Sequence, residues 1–404
     1  MKPIQTAHQS SFLHKLDQSI GIVVKSNYVG KIYILLHGKK LRFYFSTYKH
    51  LSGDCLKIIQ IEVTSRCTAF CIMCPKSCMG ELWNSGDLPM DVYRRMSEYF
   101  DLFDLIWLQG WGEPLLVKEI FDMVRLAGKV HGSVGLTTNA MLLNEDFSRK
   151  LIESGLRVIA ISIAGATEKT HENIRRGTIF KKIVENVETL TRLRRSMNAK
   201  DLKVIFTFLR IKQNIRELPD VVELAASLDV DEVVGTNLDY IPTREHYDMK
   251  IFFEEKPPEE YLEIIRESEE KAKENGISIY NYPVKMDEVA ICSENPIENL
   301  YVCHDGTVSP CVYLNIPLKT NIFPRYFKGK TYTTEKYIFG DLKKEELTKI
   351  IEKRECRDFR EIYRKRSEYT SSGSLLSKLM NFGEKPTYPR LPKQCWNCYK
   401  AYGV

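Results

Sequence analysis

Three cysteines spaced Cys67-x3-Cys71-x2-Cys74 are the residues of this chain whose types and intervals point most directly to chemistry. Three thiolates at such intervals suit three corners of an iron–sulfur cubane, and the absent fourth thiolate leaves one iron open to another ligand. A structural zinc site would instead want a fourth ligand close by, such as Cys78, and plain buried thiols are the remaining alternative. A second set lies toward the C-terminus. Cys292 and Cys311 flank Gly306 of a His304-Asp305-Gly306 turn, and Cys395-x2-Cys398 stands close to Val404. Four thiolates make a closed site, for iron–sulfur or for zinc. Cys303 is the reserve ligand of this set, and Cys55, Cys78 and Cys356 are expected to be unligated.

The elements that must position these thiols follow from hydrophobic periodicity. From Ile58 onward, six short runs rich in β-branched and apolar residues (Ile58 to Val63, Leu105 to Leu108, Val134 to Thr138, Val158 to Ile163, Lys203 to Leu209, Glu232 to Thr236) alternate with amphipathic stretches. That alternation is the pattern of parallel strands joined by helical crossovers. The helical stretches are Met90 to Phe103, Val117 to Val130, Phe180 to Met197, Leu218 to Leu228 and one after Pro258. The near-continuous apolar runs predict strands covered on both faces. Six units are too few for an eight-stranded closed barrel. The predicted fold is therefore α/β, an open six-stranded (β/α)6 partial TIM barrel. The first cysteine set sits at the C-terminal end of its first strand, where such sheets carry their chemistry.

Three segments are expected: residues 1–55, small and β-rich around Gly30 and the His37-Gly38-Lys39-Lys40 turn; 56–280, the barrel; and 281–404, a cysteine-rich auxiliary cluster domain. A helical stretch from Leu342 to about Arg366 and a linker from Ser371 to Pro392 belong to the last. The 404 residues, 43% hydrophobic, hold no apolar run long enough to span a membrane, and the N-terminus lacks a signal-peptide pattern. A cytoplasmic protein with no membrane partner is expected. The net charge of +6 gathers between Arg325 and Thr370, as a solvated helical face or a dock for an acidic partner. No aromatic-and-basic module argues for nucleic acid.

The Cys67, Cys71, Cys74 loop after the first strand resembles the signature of the radical S-adenosylmethionine (SAM) superfamily, over Ile58 to about Tyr240. The resemblance implies a 4Fe–4S cluster on these three cysteines. Its fourth iron is chelated by SAM, which an electron cleaves to methionine and a 5′-deoxyadenosyl radical. Gly110-Trp111-Gly112-Glu113-Pro114 after the second strand is similar to the family's Gly-Gly-Glu element. It implies that Gly112 and Glu113 receive the SAM ammonium, a charge-assisted contact; an ordinary turn with a solvated Glu is the bland alternative. Ser162 and Arg175, after the fourth strand, resemble positions contacting the SAM ribose and carboxylate. Met73 stands where an aromatic adenine contact is common, and Ala164 where an acidic residue is. Thr138-Asn139, Asn214 and Glu217 also match related sequences, with no role assigned.

Cys292, Cys311, Cys395 and Cys398 resemble the ligands of SPASM and twitch domains, which implies a second, auxiliary 4Fe–4S cluster. The expected function is radical modification, by oxidation or cross-linking, of a peptide, protein or metal-cofactor precursor, as in maturases that include tungsten cofactor-modifying proteins. A ferredoxin- or flavodoxin-type reductant is implied. No catalytic proton acceptor is assigned, although Asp239 or Tyr240 could face the pocket. A non-catalytic iron–sulfur electron carrier or scaffold, or a zinc-binding interaction protein, is the alternative.

Overall fold

The computed structural model describes residues 24–27, 31–36, 39–44, 56–129, 133–372 and 388–404. Met1–Cys55 and Leu56–Val404 form separate compact units. In the first, β1 (Val24–Asn27), β2 (Lys31–Leu36) and β3 (Lys39–Tyr44) make an antiparallel sheet in that order. Leu36 pairs with Lys39, and His37 and Gly38 of the expected turn lie outside the described residues.

The second unit is built on the six expected strands: β4 (Ile58–Ile61), β5 (Leu105–Leu108), β6 (Ser133–Thr138), β7 (Val158–Ile163), β8 (Lys203–Arg210) and β9 (Glu232–Asn237). They pair in sequential order, all parallel. The register aligns Ile59 with Ile106 and Ile106 with Val134, and further along the sheet Ile159 with Val204 and Phe206 with Val233. All of these side chains are fully buried in one core.

Against that face pack α2 (Met90–Ser97), α3 (Ile120–Ala127), α4 (Glu145–Glu153), α6 (Phe180–Ser196), α7 (Leu218–Ser227) and α9 (Glu259–Asn275), while α1 (Pro75–Met79), α5 (Glu168–Ile174) and α8 (Arg244–Met249) are short. Local signals mark several ends. Asn144 caps α4 by accepting from Phe147 N, Thr167 caps α5 through Thr170 N, and Gly276 (φ 69°) ends α9 in the left-handed region glycine tolerates. The α4 and α5 helices were not among the stretches predicted from the sequence. The predicted helix Met90 to Phe103 breaks instead after Ser97 into a short 3-10 turn, Phe100–Leu102, whose Phe100 is driven fully into the core.

One expectation is corrected here. The strands are not covered equally on both faces: β8 and β9 alternate fully and partly buried residues, because the inner face of the open arc lines a cavity. The six-stranded arc stands as expected, and the sheet continues past both of its edges. Beyond β9 it adds β10 (Ser278–Asn281), parallel, and beyond β4 it adds β11 (Asn299–Val302), parallel, then β12 (Thr307–Ser309) and β15 (Gly340–Asp341), antiparallel. The cysteine-rich segment thus grows from the free edge of β4, which satisfies that edge's backbone groups. A separate hairpin, β13 (Ile322–Phe327) and β14 (Lys330–Glu335), turns over Lys328 (φ 47°) and Gly329 (φ 82°). The helices α10 (Leu347–Ile351) and α11 (Arg354–Ser372) follow. Most of the predicted Ser371 to Pro392 linker, and Cys55, lie outside the described residues.

Candidate active site

The loop that leaves β4 is held before it reaches its cysteines. Ser65 N donates to Gly86 O (2.9 Å), Thr64 Oγ1 to Asp87 Oδ1 (2.6 Å), and Arg66 makes a two-pronged pair with the same Asp87 carboxylate. Beyond Cys67, Phe70 N and Ile72 N donate to Arg176 O (2.7 Å) and Ile174 O (2.9 Å), so the cysteine loop runs alongside the C-terminal end of α5. Cys74 precedes α1 and donates its N–H to Cys71 O (3.1 Å).

Burial pushes the Cys67 thiol up, and burial with Cys71 beside it pushes Cys74 up to about 12. Neutral thiols are thus favoured in the metal-free protein, as at any buried cysteine. No three of these ligand sulfurs lie within 4.8 Å of one another, whereas a zinc tetrahedron with Zn–S of about 2.3 Å needs about 3.8 Å. The wider spacing fits a polynuclear cluster.

The Gly110–Pro114 loop packs directly on this one. A Cβ on Gly112 would come within 2.1 Å of Thr64 O, and Glu113 N donates to Arg66 O (2.8 Å), so only glycine permits the approach. The Glu113 side chain is buried, not solvated. Its Oε1 accepts from Thr138 Oγ1 (2.7 Å) and Leu115 N (3.1 Å), and its Oε2 from Asn139 N (2.7 Å). Burial raises the carboxyl's pKa, and those three donors pull it back down. A carboxylate offers about four acceptor positions, so one on Oε2 stays available.

Thr138 and Asn139, to which the sequence assigned no role, therefore hold Glu113. Asn139 Nδ2 also reaches to 3.9 Å from Cys67 Sγ. Asn214 and Glu217 brace the loop after β7: Asn214 Nδ2 donates to Ala164 O (3.1 Å), and Glu217 Oε2 accepts from Ala166 N (2.7 Å). Arg175, at the end of α5, places Nη1 4.0 Å from Cys71 Sγ and leaves its buried Nε without a partner. An unpartnered guanidinium N–H turned toward a cavity fits an anionic ligand.

All eight predicted residues of this group meet on one cavity of about 560 Å³: Cys67, Cys71, Cys74, Met73, Gly112, Glu113, Ser162 and Arg175. The cysteine-rich segment adds Glu294, Val312, Tyr313 and Lys400 to the lining. Asp239 and Tyr240 do reach the cavity, but both are engaged. Tyr240 donates its hydroxyl to Pro324 O (3.0 Å), and Asp239 Oδ2 lies 2.7 Å from Nζ of the buried Lys400. That ammonium also stands 4.6 Å from the centre of the Tyr282 ring. Trp111 meets Tyr240 and Tyr313 edge-on, with ring centres 5.8 Å and 6.0 Å apart.

Cys292, Cys311, Cys395 and Cys398 come together around a separate cavity of about 20 Å³, closed by Phe359 and Tyr363 of α11. Here too no three sulfurs lie within 4.8 Å of one another. Burial pushes Cys395 up to about 12. Glu294, Tyr313 and Lys400 border both cavities. Cys303 does not join this set: it points to the opposite side of the β11–β12 turn, toward Glu62. Cys356 is buried in the core, and Cys78 is exposed.

Residues 61–225 match the model of the radical SAM superfamily, and residues 292–399 match that of SPASM, an iron–sulfur cluster-binding domain. Residues 61–225 thus form a radical SAM domain and residues 292–399 a SPASM domain. The chain is 25% identical over 303 residues to the tungsten-containing aldehyde ferredoxin oxidoreductase cofactor-modifying protein of Pyrococcus furiosus, covering 73% of this chain and 80% of that one. It is 28% identical over 186 residues to the PqqA peptide cyclase of Bradyrhizobium diazoefficiens, 45% of this chain and 46% of that one, so it spans about half of this second relative. Two solved structures share the fold. SuiB of Streptococcus suis bound to S-adenosylmethionine has TM-score 0.57 at 11% identity (85% and 78% of the two chains), and anSMEcpe with bound AdoMet has 0.56 at 16% (76% and 83%). As a radical SAM protein with a SPASM domain, the chain takes a 4Fe–4S cluster, SAM and an auxiliary iron–sulfur cluster, and the two cysteine sets fit those groups.

Proposed function

We propose that this radical SAM enzyme oxidises or cross-links a peptide, a protein or a metal-cofactor precursor, with Cys67, Cys71 and Cys74 holding the SAM-binding cluster and Cys292, Cys311, Cys395 and Cys398 the auxiliary one. When bound, the first cluster and SAM together supply a 5′-deoxyadenosyl radical. The protein's own residues orient and exclude. Glu113 takes the SAM ammonium on the remaining acceptor position of Oε2, and Arg175 takes the carboxylate. Gly112 lets the backbone approach, Met73 packs on the adenine, and Ser162 meets the ribose.

One observation carries the substrate side of this reading: Glu294, Tyr313 and Lys400 border both the SAM-side cavity and the four-cysteine cavity. A substrate in the larger cavity is then one side-chain layer from the auxiliary cluster, close enough to pass it an electron after hydrogen abstraction. Two-electron oxidation suits that arrangement. The relatives named as a tungsten cofactor-modifying protein and a peptide cyclase support the substrate class. A ferredoxin- or flavodoxin-type carrier would supply the electron, its acidic surface meeting a chain of net charge +6.

The test is 5′-deoxyadenosine release by the anaerobically reconstituted enzyme with dithionite and SAM. Release should rise on adding the precursor and carry deuterium from a labelled precursor. Replacing Cys67, Cys71 or Cys74 by Ala should abolish release and remove about four irons per chain. Release that persists in those variants would refute the ligand assignment. A wild-type protein whose cluster EPR ignores SAM would instead be an electron carrier.

A further inference from the structure

Glu62 follows directly on β4, and Cys303 and His304 begin the turn between β11 and β12. Parallel pairing sets Ile61 opposite Val302, and Glu62 N donates to Val302 O (2.8 Å), so the two segments emerge side by side. All three side chains are buried, Glu62 and Cys303 completely. Their donor atoms converge. Glu62 Oε2 lies 3.0 Å from His304 Nδ1 and 3.3 Å from Cys303 Sγ, and Sγ lies 3.5 Å from Nδ1. Among the described residues this is the one group of three or more His, Cys, Asp or Glu whose donor atoms all lie within 4.8 Å of one another. A tetrahedral ion with ligand bonds of about 2.0–2.3 Å spaces its donors about 3.3–3.8 Å apart. The observed triangle is close to that size, unlike either cluster set.

The surroundings are shaped for these side chains. A Cβ on Gly110 would stand 2.3 Å from Glu62 Cγ, and one on Gly86 2.9 Å from His304 Cδ2, so two glycines clear the space the pair occupies. The Tyr301 hydroxyl, fully buried beside Glu62 and Cys303, makes no hydrogen bond of normal geometry. It is available as a fourth donor or as the partner of a bound water. Glu62 Oε1 accepts from Trp111 N (2.8 Å), and Oε2, which also accepts the His304 backbone N–H (3.3 Å), faces the triangle. Lys336, close enough to feel the Glu62 and Cys303 charges, donates to Leu318 O (2.8 Å). A thiolate, a carboxylate and a neutral imidazole balance a dication, and this mixed set suits Zn²⁺ over harder ions.

We propose that Glu62, Cys303 and His304 bind one Zn²⁺ ion, distinct from both iron–sulfur sites, which clips the SPASM turn to the strand that carries the SAM-cluster loop. Binding forms Zn–S, Zn–N and Zn–O bonds and releases the Cys303 thiol proton to solvent, with no redox change.

The experiment uses full-length protein with both clusters reconstituted, exposed to excess zinc and passed over a chelating resin. About one zinc per chain should remain, and zinc-edge X-ray absorption should show one sulfur and two or more nitrogen or oxygen neighbours. Cys303→Ser and His304→Gln should each lose at least nine-tenths of that zinc while iron content stays unchanged. Zinc below a tenth of an equivalent in the wild type would mean that the three groups only hydrogen-bond to each other, overturning the proposal. Zinc with four sulfur neighbours, or zinc retained in both variants, would overturn it too, placing the ion at a cluster site. The wild-type spectrum decides even if a variant does not fold.

Discussion

Glu113 accepts the backbone N–H of Asn139 at 2.7 Å, and the side chain of that same Asn139 stands 3.9 Å from the sulfur of Cys67. The Gly110–Pro114 loop, the end of β6 and the cysteine loop are thereby joined through one buried carboxylate, whose remaining acceptor position opens on the cavity.

Glu113→Gln should therefore weaken SAM binding about ten- to hundredfold, the loss of one charge-assisted hydrogen bond of roughly 1.5–3 kcal/mol. Iron content should hold, because no cysteine is touched. Calorimetric titration with SAM on the reconstituted protein measures this, and an unchanged affinity would leave Glu113 a purely structural brace.

Replacing Cys395 by Ser should remove about four irons and loosen the C-terminal segment, since a cluster that joins Cys292, Cys311 and the Cys395–Cys398 pair closes long stretches of chain. Reductive SAM cleavage should continue, while conversion of the true substrate should fall. Iron analysis, limited proteolysis and paired 5′-deoxyadenosine and product assays separate these outcomes. Loss of SAM cleavage with the first cluster intact would contradict the division of labour between the two sites.

Lys400 and Asp239 form a buried ion pair at 2.7 Å on the substrate side of the cavity. Lys400→Met should destabilise the fold by about 3–5 kcal/mol, because it strands a carboxylate in a low-dielectric wall. The double variant Asp239→Asn with Lys400→Met should regain part of that loss. Thermal melts of all three variants decide it; a double variant no more stable than Lys400→Met would mean that the charges do not couple.

His171 sits fully buried under the loop after β7, its Nδ1 accepting from Ala164 N (3.3 Å). Burial, with Arg175 close by, depresses its pKa to about 3. The unfolded chain takes up that proton below about 6.5, and the native state does not. Stability from this group is complete above pH 6.5 and drains away as pH falls toward 3, by at most about 1.4 kcal/mol per unit. His171→Asn keeps an acceptor for Ala164 N but cannot titrate. Its melting temperature should fall less than the wild type's between pH 7.5 and 5.5, and parallel slopes would rule His171 out as the source.

The order of the six strands, and the two groups of cysteines that the structure gathers around separate cavities, were already legible in the sequence. A parallel strand rich in β-branched residues is readable from a few neighbours, and so is a loop that carries three thiols at short intervals. Glycines at 110 and 112 were readable as places of close approach, though not what approaches them. Only tertiary structure decided which distant segments meet. Nothing local predicts that β11 pairs with the edge of β4, because that contact depends on which strand edge stays free once the six parallel strands are laid down. The same pairing brings Cys303 beside Glu62 and away from the auxiliary set. Residues such as Thr138, Asn139 and Glu217 act through hydrogen bonds to side chains or loops 25 to 51 positions away, a relation that composition and periodicity do not carry.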